Sequence, residues 1–236
     1  MTTLPLLSTL IWLPILAACA VLVLGNDERP QLIRGITMAA ILTSLLLCIP
    51  LYTHFDFTTS AMQFTETLPW LPSFGISYRL GVDGISMPFI LLSTLTTLVA
   101  VLATWDSVTF KKSQYFAAFL VMQGIMVGVF SALDAVLFYV FFEAILVPMY
   151  LIIGVWGSSN RIYAAIKFFL FTFVGSVMML VALLFLGISA GTFDILAFYP
   201  LKLSLVAQTL LFVAFFLGFA IKVPMWPVHT LSLIHI

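Results

Sequence analysis

The sequence predicts an all-α polytopic membrane protein with about seven transmembrane helices. Three observations carry that expectation. Hydrophobic residues make up 63% of the chain and charged residues only 8%, whereas soluble domains carry roughly 25% charged residues. With a mean hydropathy of +1.23, the chain lacks the polar surface to face water all round. The apolar residues also fall in long unbroken runs, each close to the ~20 residues a helix needs to cross about 30 Å of hydrocarbon. Finally, the runs lack the short alternating pattern of a membrane barrel. In lipid a helix satisfies its own backbone, whereas an open sheet edge does not.

The elements follow in order. The first run covers about Leu4–Leu24. Met1–Ser8 contains no Lys or Arg, so this run reads as a retained helix and not a cleaved signal. Further spans are expected at about Leu32–Tyr52, Ile85–Trp105, Tyr115–Leu133, Ala135–Val155, Tyr163–Leu186 and Leu205–Val223. Ser131–Asp134 must be a tight turn that makes the fourth and fifth spans antiparallel neighbours. Thr53–Gly84 is the one long connection. With Pro69, Trp70 and Pro72 it reads as an ordered extramembrane loop on the bilayer surface, where Trp is favoured. No linker, low-complexity stretch or clear internal repeat appears, so one membrane domain is expected.

Lys and Arg set the orientation. With the N-terminus outside, the inner connections collect Arg29, Arg34, Lys111, Lys112 and Arg161, leaving Arg79 and Lys202 outside. The formal net charge is +0, which gives no basic footprint for nucleic acid. Cys19 and Cys48 lie in apolar runs and read as packing residues. There is no P-loop, dinucleotide glycine fingerprint, metal-ligand spacing or iron–sulfur cysteine cluster, so no cofactor or metal is expected on this chain.

Against this apolar background, a few charges stand out. Glu143 lies eight residues after Ala135 and ten before Ile153. That is about 12 Å and 15 Å from the ends of its helix. A charge at the centre of a bilayer costs at least ~2.5–3.5 kcal/mol and is functional by default. Pro148 lacks the N–H that would bond the Ala144 carbonyl, so the helix should bend just after Glu143 and leave room for water.

Lys167 is about 6 Å into its span. It can snorkel to the interface or approach Glu143. Lys222 stands in GFAIKVPMWPVHT, where Pro224 and Pro227 remove the helical partners of the Ala220 and Val223 carbonyls. A lysine beside a broken helix is a transporter-type ion site, although an ordinary helix C-terminus also favours lysine. Counted from Leu205, Lys222 is about 25 Å along its helix, nearer the inner face than the centre. His229 follows Lys222 by seven residues and has a relay-type side chain, but a lone histidine near a membrane edge is more often structural. Asp83, between two glycines, reads as a helix cap or loop anchor.

LGVDGIS (80–86), FYVFFEAILVPMYLIIG (138–154), AAIKFFLFT (164–172) and GFAIKVPMWPVHT (218–230) resemble the antiporter-like membrane subunits of respiratory complex I, closest to the subunit M (chain 4) group of NADH–quinone oxidoreductase. The resemblance implies inverted helical repeats, each with a broken helix. It implies a proton relay in which Glu143 is the channel glutamate, Lys222 the central lysine, Lys167 the basic modulator and His229 the adjoining relay histidine. It also implies a translocase within NADH:quinone oxidoreductase. FMN, iron–sulfur clusters and quinone would be carried elsewhere in that complex, subunits L and N would be neighbours, and the setting would be the bacterial inner membrane.

Mrp-type cation/proton antiporters and membrane-bound hydrogenases share these motifs and form the alternative reading; a non-conducting scaffold is a third. After the histidine, the family pattern continues Trp-Leu-Pro-Asp-Ala-His, whereas Thr230 is followed here by LSLIHI. Residues 1–230 are therefore expected to be the N-terminal part of a longer antiporter-like domain, with 231–236 a non-matching tail on a truncated gene.

Overall fold

The structure is a computed structural model that describes residues 5–25 and 27–229. Seven helical segments are long and apolar enough to cross a membrane: Leu6–Leu24, Pro30–Thr53, Ser86–Ala103, Lys112–Ser131, Ala135–Trp156, Arg161–Ala190 and Leu205–Lys222. They match the expected spans to within a few residues, apart from a longer sixth. The expected start at Leu4, and the tail from Thr230 onward, lie outside the described residues. The chain is a multi-pass membrane protein. Its contacts group it into two compact units: residues 1–68 with 78–132, and residues 69–77 with 133–236.

In the first unit, α1 (Leu6–Leu24), α2 (Pro30–Thr53), α3 (Ser86–Ala103) and α4 (Lys112–Ser131) form a bundle. The tightest approach is at Gly124, where an added Cβ would stand 2.8 Å from Ile15 Cγ1. Small residues let membrane helices come this close. Buried hydroxyls complete their bonding inside their own helices. Thr37 donates to Ile33 O, Ser44 to Ala40 O, Thr94 to Ile90 O and Thr97 to Ser93 O, so none needs a partner in lipid. Arg34 donates to the Trp105 carbonyl, pairs with Asp106 at 2.8 Å and lies 5.0 Å from the centre of the Trp105 ring.

The long connection holds an element absent from the sequence reading. Strands β1 (Gln63–Leu71) and β2 (Ile76–Val82) pair as a hairpin closed by a 3-10 turn at Pro72–Phe74 and by Gly75 at φ +67°. An open sheet edge is costly only within hydrocarbon, and this segment lies outside the spans. Within the first unit, Glu66 of β1 caps α1. Its carboxylate accepts from Leu7 N (2.8 Å), Ser8 N (3.1 Å) and Ser8 Oγ. Tyr78 Oη lies 3.0 Å from Ser8 Oγ and accepts from Trp12 Nε1 at 3.2 Å.

The second unit holds α5 (Ala135–Ala144), α6 (Leu146–Trp156), α7 (Arg161–Ala190) and α8 (Leu205–Lys222). The turn after α4 is present at residues 132–134. Within the first unit α4 packs on α1, α2 and α3, and within the second α5 packs on α6 and α7. The α5 N-terminus is anchored by Asp134, which is 1% exposed. Its Oδ1 accepts from Val136 N and Leu137 N, and its Oδ2 from Ser77 N at the hairpin tip. Residues 133–135 also bond the 193–195 segment, through Ala135 N to Phe193 O and Ile195 N to Leu133 O.

Candidate proton-relay site

Glu143 lies one residue before the end of α5. The helix is interrupted at Ile145 and restarts as α6 at Leu146. The interruption falls just after Glu143, where Pro148 is expected to disturb the helix, while Ile145 keeps right-handed helical dihedrals (φ −60°, ψ −29°) and its N–H still reaches the Phe141 carbonyl at 3.4 Å. Pro148 has no N–H for the Ala144 carbonyl, so that acceptor next to Glu143 lacks its helical donor. Glu143 is half-buried, and among the described residues its buried Oε1 has no hydrogen-bond partner.

Lys222 is the last residue of α8, as expected for a helix stopped by Pro224. One detail differs. The Ala220 carbonyl is not left free, because Met225 N donates to it at 2.8 Å. This is the wider closure by which helix C-termini satisfy their own carbonyls. The ammonium instead reaches across to α5. Nζ donates to the Phe142 carbonyl at 3.3 Å and lies 3.7 Å from the centre of the Phe142 ring. Lys222 and Glu143 are within Coulombic range of each other, but no direct ion pair joins them among the described residues.

The register of Lys222 along α7 follows from the α7–α8 crossing. At the α7–α8 crossing, a Cβ on Gly175 would meet Ile221, and one on Gly218 would meet the Gly175 carbonyl at 3.1 Å and Met179 Cβ at 3.2 Å. Gly175 is about 21 Å from the Arg161 end of α7 and about 22 Å from the Ala190 end. Lys222 follows Ile221 directly, so it sits beside the midpoint of a 30-residue helix. Its contact with Phe142, seven residues into α5, gives the same level. The 18-residue α8 thus covers only half of α7 and ends halfway along it.

Polar groups on α5 and α7 line the approach to Glu143. Tyr139, one turn earlier on α5, bonds Ser176 of α7. In this antiparallel register Glu143 falls level with Thr172. Ser176 is 2% exposed and Thr172 5%, and each bonds a carbonyl of its own helix. The sequence reading missed Tyr139, Thr172 and Ser176. Their signal was available in the four-residue spacings 139/143 and 172/176, which keep residues on one helix face.

Lys167 is not brought to Glu143. Its Nζ lies 6.0 Å from the centre of the Tyr163 ring, one turn back on its own helix, about 7 Å along α7 from the level of Glu143. His229 is half-buried at the end of the irregular stretch 223–229 that contains Pro227. Asp83 is a loop anchor. Its Oδ1 accepts from Ile85 N at 3.0 Å and Ser86 N at 2.7 Å where α3 begins.

Comparison with known proteins gives a consistent result. Residues 132–231 match the family described as NADH:quinone oxidoreductase/Mrp antiporter, TM, a stretch that contains every candidate relay residue. The chain is 44% identical over 241 residues to NADH-quinone oxidoreductase subunit M of Rhodobacter capsulatus, covering 95% of this chain and 46% of that protein. It is 44% identical over 224 residues to NADH-ubiquinone oxidoreductase chain 4 of Marchantia polymorpha, covering 94% and 45%. A chain of respiratory complex I from Thermus thermophilus with bound NADH superposes with a TM-score of 0.81 at 30% identity, covering 95% of this chain and 45% of that one. The chain spans about half the length of the curated relatives it matches.

Proposed function

We propose that this chain, which is related to the antiporter-like membrane subunits of NADH:quinone oxidoreductase, forms a proton-translocating half-channel in the membrane arm of that complex. One observation carries the reading: an acid at the α5 interruption and an amine at the C-terminal end of α8 approach each other across the α5–α8 contact without forming a direct ion pair among the described residues. Burial disfavours either charge, and an opposite charge nearby favours it. Changing the protonation of one member therefore changes the affinity of the other for its proton, and the titration belongs to the pair. A direct salt bridge would hold both charges fixed.

In this reading Lys167 and His229 flank the pair as the stations on either side. Electron transfer by FMN, iron–sulfur clusters and quinone takes place on other subunits. Subunits L and N are neighbours, and the chain sits in the bacterial inner membrane with its N-terminus outside. An Mrp-type antiporter would use the same pair without an electron-transfer partner. The 44% identity to subunit M supports the oxidoreductase instead.

The test is Glu143→Gln in the membrane complex that contains this chain, reconstituted in liposomes. Proton pumping should fall to about a tenth or less, with the complex still assembled. Pumping at the normal rate would end the proposal.

A further inference from the structure

We infer that Phe142 is a positioning residue for the Lys222 ammonium, offering the aromatic face and the backbone carbonyl of one residue as a resting place next to Glu143. The inference rests on the relay reading above. The ammonium lies 3.7 Å from the ring centre and 3.3 Å from the carbonyl oxygen of that same residue. A cation over an aromatic face is attracted by the negative potential of the ring, and more so where water is excluded. Phe142 is 8% exposed.

The ring is held in place from both of its helices. Phe138, one turn back on α5, lies 5.7 Å away, and Phe219 of α8 meets it edge-on at 6.3 Å and 86°. Phe219 is three residues before Lys222, so the helix that carries the lysine also orients the ring that receives it. The carbonyl belongs to the last turn of α5, three residues before the interruption at Ile145.

The chemistry suits a relay better than a carboxylate partner would. A neutral ring and a carbonyl hold an ammonium without cancelling its charge, so the charge still acts on Glu143 one residue away. When the lysine gives up its proton, the ring attraction vanishes and the side chain is released. Phe142 therefore favours the charged lysine at one location and lets the neutral form move.

The experiment replaces Phe142 by 4-fluoro-, 3,5-difluoro- and 3,4,5-trifluorophenylalanine in the reconstituted complex. Fluorine withdraws the ring potential in steps while barely changing ring size, so packing alone would give no trend. Pumping relative to quinone reduction should fall stepwise, by about five-fold at the trifluoro ring. Phe142→Trp should restore it and Phe142→Leu should match the trifluoro ring. The same series at Phe138 should show no trend. A flat response at Phe142, in a complex where Glu143→Gln abolishes pumping, overturns this inference and leaves the relay standing. Normal pumping by Glu143→Gln removes the relay itself.

Discussion

Two aspartates of similar appearance in the sequence do different work at residue scale. Asp134 accepts four bonds, from two α5 amides and from the amide and hydroxyl of Ser77, while almost wholly buried. Asp134→Ala removes a helix cap and strands buried donors, and should destabilise the protein by about 1–3 kcal/mol. Denaturant unfolding in detergent would measure the loss, and Asp134→Asn, which keeps an acceptor for α5, should recover part of it. Asp83 lies outside the spans. Burial raises its pKa, but bonds from Ser86 and Ile85 outweigh that, and the carboxyl titrates below the ordinary carboxylate range. A depressed folded pKa means that the stabilisation is present above the unfolded value of about 3.9 and is lost as pH falls through the folded value. Hydrogen exchange at Ile85 and Ser86 should therefore accelerate in acid, and Asp83→Asn should remove that pH dependence. Glu143 and Lys222 were legible because a charge in an apolar run has no cheap explanation. Phe142 was not, because one Phe among 23 gives no hint of which ring a cation will find.

Among elements, the decisive feature is the α7–α8 crossing. Gly175 and Gly218 face each other so closely that a side chain on Gly218 would meet the Gly175 carbonyl and Met179. That backbone cannot step aside, so Gly218→Val should wedge the helices apart at a cost of about 1–3 kcal/mol. It should also draw Lys222 off Phe142. Lower thermal stability together with reduced pumping would support this, while normal values of both would contradict the crossing. The α5 break was legible from Pro148, since a missing N–H is a covalent fact. The Ala220 carbonyl was misjudged because the rescuing donor, Met225, reaches back only when the chain turns after Lys222. The hairpin was missed because Pro69 and Pro72 read as loop signals and the segment lies outside the hydrocarbon, where the bilayer no longer dictates the backbone.

For the whole molecule, the seven spans give a topology that can be checked directly. With Cys19 and Cys48 replaced, a cysteine at Thr59 should react with an impermeant thiol reagent from outside intact cells. One at Ser159 should react only after permeabilisation. The opposite pattern would reverse the N-outside orientation drawn from Lys and Arg. The number of spans, their approximate ends and the presence of charges inside them were set by the sequence itself, because the cost of moving polar groups into hydrocarbon acts on each segment alone. Tertiary structure decided the rest: that α8 ends halfway along α7, that Lys222 shares the level of Glu143, that Lys167 stays beside Tyr163, and that a ring and a carbonyl receive the ammonium. These depend on how far one helix slides along another, and that is set by which small residues meet at a crossing, a property no single segment carries.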